Sequence, residues 1–247
     1  MTLAMEVAKE NGWKQMIRKS HGKETMSIVC YGPSLKYTWQ NIKRPILTVS
    51  GAHDFLITHG IVPDYHTECD PRESKVKVFH PHKDVKYRMA TCCHPRFWEF
   101  LKGHDVELWH LHNDAHTEEW VRENDPGANM LGGGSTVGMR ALEVASMLGY
   151  RCFEIHGMDA SYESEAVRHA GEHAGKKQNV VEVNVDGAWY KSSPQMVEAA
   201  KEVITFIQNY DCELAFHGTG LVQAMVKHFL NRFRLIDLPP TSKQESA

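Results

Sequence analysis

Residues 131–159, LGGGSTVGMRALEVASMLGYRCFEIHGMD, constrain the fold more than any other stretch. Gly132, Gly133 and Gly134 make a turn whose backbone is free to take positive φ. Ser135 or Thr136 can then cap a helix reaching about Leu148. Val137, Ala141, Val144, Ala145 and Leu148 recur with helical spacing and form one apolar stripe. Gly149 ends the helix. Residues 151–155 read as a short strand running into His156, Gly157, Met158 and Asp159. A glycine turn that opens a helix leaves N–H groups aimed at one spot, which suits a phosphate or carboxylate. A strand ending in Gly157-Met158-Asp159 sets a carboxylate at the carboxyl edge of a sheet, where open α/β folds bind ligands. The plainer alternative is that the glycines only connect elements and Asp159 caps the next helix. The stretch is neither a Gly-x-Gly-x-x-Gly turn after a strand nor a Walker sequence.

The rest of the chain repeats this grammar. Residues 1–20 read as an amphipathic helix. Residues 26–31, MSIVCY, form a continuous apolar strand of the doubly buried kind, followed by Gly32, Pro33 and Ser34. Further strands are expected at 46–50, 65–69, 76–80, 87–92 and 105–111. Helices are expected at 55–59 and 96–101, and 115–129 reads as a polar loop. Beyond Asp159, 161–179 is polar without a clear period and reads as a mobile loop or short helix over the site. A hairpin then turns at Asp186-Gly187. Ser193-Pro194 opens a helix to about Asn209, a strand covers 212–216, and a last helix covers 221–229. Strands at roughly 20-residue spacing separated by helices imply a mostly parallel α/β sheet, Rossmann-like, with helices on both faces. The organisation expected is an N-terminal helix within 1–25, one domain over 26–238 and a disordered tail from 239.

Composition narrows the function classes. The 247 residues suffice for one large domain. Net charge is −3 with no long basic run, which argues against a nucleic-acid partner. No apolar run is long enough to span a bilayer, and 1–20 lacks the apolar core of a signal peptide. The 6 cysteines form no Cys-x-x-Cys pair and no regular framework, so the cytoplasm is the expected compartment.

Most strands end in glycine or polar residues, and in a parallel sheet those ends share one edge. They would build a crowded polar crevice. His110 and His112 share a strand face and, with His116, could approach one ion. The plain alternative is a polar loop after an edge strand. A hard Mg²⁺ held by Asp70 and substrate phosphates is expected rather than a tight zinc site. Cys92 and Cys93 beside His94 are set aside as a nucleophile pair, since neighbours on a strand point opposite ways.

These residues support a comparison. Tyr31-Gly32-Pro33-Ser34-Leu35 resembles the Gly-x-Gly-Pro-Ser-Leu turn of a family that includes archaeal hydroxymethylpterin diphosphokinases and motility-associated flagellin glycosyltransferases. Its first glycine is Cys30 here. Gly60-Ile-Val-Pro-Asp64 and Cys69-Asp70-Pro71 resemble two further segments of that family. His110-Leu-His112-Asn113-Asp114 is similar to the diphosphokinase His-x-His-Gly-Asp-Asn, reordered. Gly133-Gly134-Ser135 through Gly157-Met158-Asp159 is similar also to bacterial surface-glycan sialyltransferases. No histidine occurs near 181–191, where a sialyltransferase carries its base.

The resemblance covers roughly 26–230 and implies a transferase with a nucleotide donor, ATP or a nucleotide sugar. In the leading reading, Mg²⁺-dependent diphosphate transfer from ATP to a small alcohol, Gly32, Pro33, Ser34 and Gly157 border the donor. Gly133, Gly134, Ser135 and Thr136 cradle another donor group. Asp70 holds Mg²⁺, and His112 or Asp114 supports the metal or the attacking hydroxyl. Positioning and charge neutralisation suffice for such chemistry. The alternatives are a nucleotide-sugar glycosyltransferase, with Asp159 or a histidine from 161–179 as base, and a non-catalytic nucleotide- or glycan-binding module.

Overall fold

The computed structural model describes residues 1–132, 134–164, 167–171, 179–229 and 234–236. In chain order the first elements are α1 (Thr2–Asn11), β1 (Lys14–Gln15), β2 (Thr25–Val29), α2 (Leu35–Thr38), β3 (Ile46–Val49) and α3 (Ala52–Thr58). Then come β4 (Tyr65–Glu68), α4 (Glu73–Val76), β5 (Lys86–Ala90), α5 (Arg96–Phe100), β6 (Val106–Leu111) and α6 (Ala115–Asn124). The second half holds β7 (Met130–Leu131), α7 (Val137–Met147), β8 (Cys152–His156), β9 (Val181–Val185) and β10 (Ala188–Ser192). It closes with α8 (Pro194–Asn209), β11 (Glu213–His217), α9 (Leu221–Phe229) and β12 (Arg234–Ile236).

Strands apolar on both faces must be covered on both faces, and β2 and β3 are buried from Met26 to Val29 and from Ile46 to Val49. They sit in the middle of one sheet of order β1-β6-β5-β4-β3-β2-β8-β11-β12, with β7 also on β6. Every pairing in it is parallel. From β2 the chain builds outward through β3, β4, β5 and β6. It then returns to the other side of β2 as β8. The order therefore reverses between β2 and β8, and their carboxyl ends flank a crevice. The fold is α/β and Rossmann-like, as the spacing of strands implied.

The return is carried by α7. Thr136 caps it by accepting from the Met139 N–H. Its buried positions run almost all round, from Gly138 through Met147, because it packs on β2, β3 and β4 under α8. Gly138 permits that approach, since a Cβ there would lie 3.0 Å from the Cys30 sulfur. Serine 193 caps α8 with Pro194 in its first turn. The β9–β10 hairpin turns on Asp186 (φ 51°) and Gly187 (φ 85°), both left-handed as a tight hairpin requires.

Three expectations change. Residues 76–80 are not a strand. Val76 ends α4, and Val76 and Phe79 enter the core three residues apart, a helical-turn spacing that a short apolar run does not distinguish from alternation. Residues 115–129 are not all loop. Asp114 caps α6, whose single buried residue, Val121, leaves almost no apolar period to read. The N-terminal helix stops at Gly12 (φ 69°), after which Lys14 and Gln15 pair with Glu107 and Leu108 of β6. The tail from 239 and parts of 161–179 lie outside the described residues. Among the described residues no helix is long and apolar enough to cross a membrane.

Two glycines separate conformational strain from crowding. Gly157 (φ 66°) would bring a Cβ 2.2 Å from the Cys30 carbonyl oxygen, whereas a Cβ on Gly187 meets nothing within 4 Å. Gly187→Ala is expected to cost about 1 kcal/mol for its left-handed backbone. Gly157→Ala should cost roughly 2–5 kcal/mol, because the β2–β8 junction must also shift. Urea unfolding of both variants checks this, and equal losses would contradict it.

Candidate active site

The turns after β2 and β8 meet at the sheet's switch point. The Gly32 N–H donates to the Gly157 carbonyl at 2.8 Å. A Cβ on Gly32 would come within 2.4 Å of both that oxygen and an Asp159 carboxylate oxygen. Ser34 then donates twice to Asp159: its N–H to Oδ2 at 2.8 Å and its hydroxyl to Oδ1 at 2.6 Å. Two more glycines close around the pair. A Cβ at Gly218 would lie 2.5 Å from the Ser34 hydroxyl, and one at Gly220 would lie 2.6 Å from the Asp159 Cβ. Burial pushes the Asp159 carboxyl up to about 6, against the pull of its hydrogen bonds from Ser34 and Gln223.

Above this junction opens a cleft of about 520 Å³, within the size range of small-ligand sites. Gly32, Pro33, Gly157, Asp159, Ser135 and Thr136 all border it, so the Gly32-Pro33 turn shares the cleft with the Ser135-Thr136 end of the second turn. Ser34 does not border it, because its hydroxyl is spent on Asp159. Gly133 lies outside the described residues, and Gly134 (φ 89°) is absent from the lining. The Ser135 N–H and hydroxyl both donate to the Glu202 carboxylate of α8, at 2.8 and 2.9 Å. An internal anion thus occupies the Ser135 donors expected to cradle a ligand, and the Thr136 hydroxyl oxygen accepts from the Met139 N–H as the helix cap.

Four cationic side chains border the cleft: Arg72, Lys75, Arg140 and Arg168. Sequence reading passed over them because they come from α4, its N-terminal flank, α7 and the 161–171 segment, and only the fold makes them neighbours. Lys75 is buried and donates to the Ser50 hydroxyl at 2.8 Å. Ser50 (φ 51°) and Ala160 (φ 50°), two non-glycine residues in the left-handed region, also line this cleft. Such strain concentrates at functional sites.

Asp70 borders the cleft as expected, gripped in two-pronged fashion by the Arg72 guanidinium. Burial raises its carboxyl, but Arg72 outweighs burial and holds it below the usual range. Beside it Glu68 is buried and accepts from the Cys69 and Asp70 N–H groups. Burial pushes the Glu68 carboxyl up. His169 also lines the cleft, its ring stacked on Tyr31 at 5.6 Å. Burial, helped by the Arg168 charge, pushes His169 down to about 4, so it is neutral at pH 7.

His112 and Asp114 are not brought to the cleft. His112 is exposed beside Glu118, and the Asp114 carboxylate accepts from the Thr117 N–H as the cap of α6. His110 is buried, with Thr91 on one ring nitrogen and Asp125 on the other, while His116 is exposed. The three histidines do not converge. No cleft cysteine is a ready nucleophile: burial pushes the Cys30 thiol up to about 12.

An open parallel sheet with a polar, cation-lined cleft at its switch point defines a Rossmann-like α/β protein. The chain belongs to the 6-hydroxymethylpterin diphosphokinase MptE-like family, whose model matches residues 3–165. Among solved structures it is similar to the MAf glycosyltransferase from Magnetospirillum magneticum AMB-1, with a TM-score of 0.70 and 16% identity. That match covers 96% of this chain and 37% of the other, so the chain spans little more than a third of that protein. At such identity the likeness is one of fold. No curated protein matches the chain. The family is named for a diphosphokinase, a transferase, whereas the structural likeness speaks for the fold alone.

Asp159 sets a pH dependence. It binds its proton near pH 6 in the folded state, against an ordinary value of 3.8. Between these values folding takes up a proton, so its contribution to stability grows as pH falls. Wild type should gain roughly 1.3 kcal/mol on Asp159→Asn between pH 7 and pH 5, at about 1.4 kcal/mol per pH unit. Urea unfolding at both pH values measures the difference; a constant gap would mean that the carboxyl titrates normally.

Proposed function

We propose that the chain is a transferase whose donor is a phosphate-bearing nucleotide, and that it moves a diphosphate from ATP to a small alcohol with Mg²⁺. The observation that carries this reading is the convergence of Arg72, Lys75, Arg140 and Arg168 on one cleft beside the N-terminus of α7. Guanidinium and ammonium groups are the usual partners of phosphate oxygens. The cleft carboxylates Glu68, Asp70 and Asp159 offset them only in part, being three against four. The donor is held by these side chains rather than by the glycine turn alone, unless Glu202 swings off Ser135.

Asp70 and Glu68 offer oxygen donors of the kind Mg²⁺ takes, and Asp70 is the one at the rim. Arg72 would release Asp70 to a metal and turn to the phosphates, which its largely exposed side chain allows. An ion held by Asp70 and Glu68 would supply neutralisation of the charge that develops on the transferring phosphates.

A second reading, glycosyl transfer from a nucleotide sugar, is favoured by His169. Its neutral imidazole stands on the cleft wall, although held near 4 it accepts a hydroxyl proton only weakly at pH 7 until a ligand's negative charge raises it. The likeness in fold to the MAf glycosyltransferase is in keeping with it. All six thiols are free, in keeping with a reducing cytoplasm.

Asp70→Asn keeps the shape and removes the charge. Under diphosphate transfer, turnover should fall steeply, by tenfold or more at about 1.4 kcal/mol per decade, at low Mg²⁺ and recover in part at high Mg²⁺. Thermal shifts with ATP, GTP, CMP and nucleotide sugars, with and without Mg²⁺, should show a metal-dependent ATP response. A metal-independent response to a nucleotide sugar, with loss of turnover in His169→Ala, would promote the second reading.

A further inference from the structure

Glu154, His156 and His217 form a cluster outside the cleft. Glu154 and His156 leave β8 on one face, alternating with Phe153 and Ile155, which enter the main core. His217 is the register partner of His156 on β11, so both imidazoles leave the same face side by side. Their rings stack with centroids 4.0 Å apart, and both are buried. None of the three lines the cleft.

Buried polar atoms normally have partners. Here Nδ1 and Nε2 of His156, Nε2 of His217 and Oε2 of Glu154 are all buried, and none has a hydrogen-bond partner. Lys43 takes the other carboxylate oxygen, Oε1, at 3.3 Å, leaving Oε2 turned to the imidazoles. Glu154 Oε2 lies 3.8 Å from His217 Nε2, and one ligand atom from each residue falls within 4.8 Å of the others. Two ligands of a tetrahedral zinc are about 3.4 Å apart for bonds of about 2.1 Å. We propose that Glu154, His156 and His217 are a binding site for a divalent transition-metal ion, with zinc the best fit. Two imidazoles and one carboxylate suit zinc rather than Mg²⁺ or Ca²⁺, which take oxygen. Face-to-face rings present their lone pairs in parallel, so capture turns both imidazoles about χ2, a soft torsion.

The ion's place gives it a structural task. His156 runs into Gly157 and Asp159, and His217 runs into Gly218 and Gly220, the turns that enclose Ser34 and Asp159. A bond across β8 and β11 at their carboxyl ends braces the floor of the cleft without entering it. Burial keeps both histidines below their ordinary value and hence towards the neutral form a metal needs, helped at His156 by the His217 and Lys43 charges and at His217 by Lys43 against the opposing pull of Glu154.

The test uses tag-free, chelator-treated protein, full chain. Titration with Zn²⁺ alone, and with Co²⁺ as a visible-absorbing stand-in, should saturate at one tight equivalent and raise Tm. Crystals grown with Zn²⁺ should show an anomalous peak bonded to the three side chains. Glu154→Gln, His156→Ala and His217→Ala should each weaken that equivalent by at least about tenfold, while His21→Ala, a surface control, leaves it unchanged. Circular dichroism checks folding, and His217→Gln replaces any variant that fails. The proposal is overturned by an anomalous map with no peak at this cluster, or by variants that bind zinc as tightly as the wild type. It is also overturned if Tm does not rise.

Discussion

The site depends on one buried contact, the double hydrogen bond from Ser34 to the Asp159 carboxylate. It joins the ends of β2 and β8, the two strands between which the sheet order reverses. Parallel neighbours far apart in sequence have no hairpin to fix their ends, so side chains and turns must do it. Here the Gly32 N–H to the Gly157 carbonyl sets the backbone spacing, and Ser34 with Asp159 sets the turn directions. Gly218 and Gly220 exist as glycines because the pair leaves no room for a Cβ.

That contact carries an electrostatic cost. A carboxylate removed from water is disfavoured unless it is well bonded, and two bonds from Ser34 do not fully offset the burial of Asp159. The cleft shows the same tension elsewhere. Glu68 is buried against backbone donors, Asp70 is clamped by Arg72, and Glu202 fills the donors of the turn before α7. Arg72 and Asp70 pair with one another, while Lys75 and Arg140 donate to the Ser50 hydroxyl and the Gly132 carbonyl, so the acids offset the four cations only in part. A phosphate-bearing ligand would compete with these carboxylates for the same guanidinium and N–H groups.

The family resemblance drawn from Gly32-Pro33-Ser34 and from Gly157-Met158-Asp159 agrees with the match over residues 3–165. The match ends before β9, α8 and β11. Glu202, Gln195 and His217 therefore come from a part of the chain that the family pattern does not reach, and two of them touch the cleft or its turn.

Continuous apolar runs, glycine stops and capping residues made β2, β3, α7, α8, the Asp186-Gly187 hairpin and α9 legible from sequence, because each is specified by neighbours within a few residues. Residues 76–80 and 115–129 were misread because the run Val76, Val78 and Phe79 is too short to fix a period and α6 buries a single side chain. The glycine turns and Asp159 were also legible, as was Asp70 at a strand end. Their partners were not. That Ser34 serves Asp159 rather than a ligand, that Glu202 occupies Ser135, and that His112 stands outside the cleft depend on contacts between residues tens to more than a hundred positions apart. The same holds for the four cations and for the pairing of His156 with His217. Local sequence determined the elements and the sheet edge on which the cleft opens. Only tertiary packing decided which polar groups face one another there, because hydrogen bonds and charges act over a few ångströms of space and not along the chain.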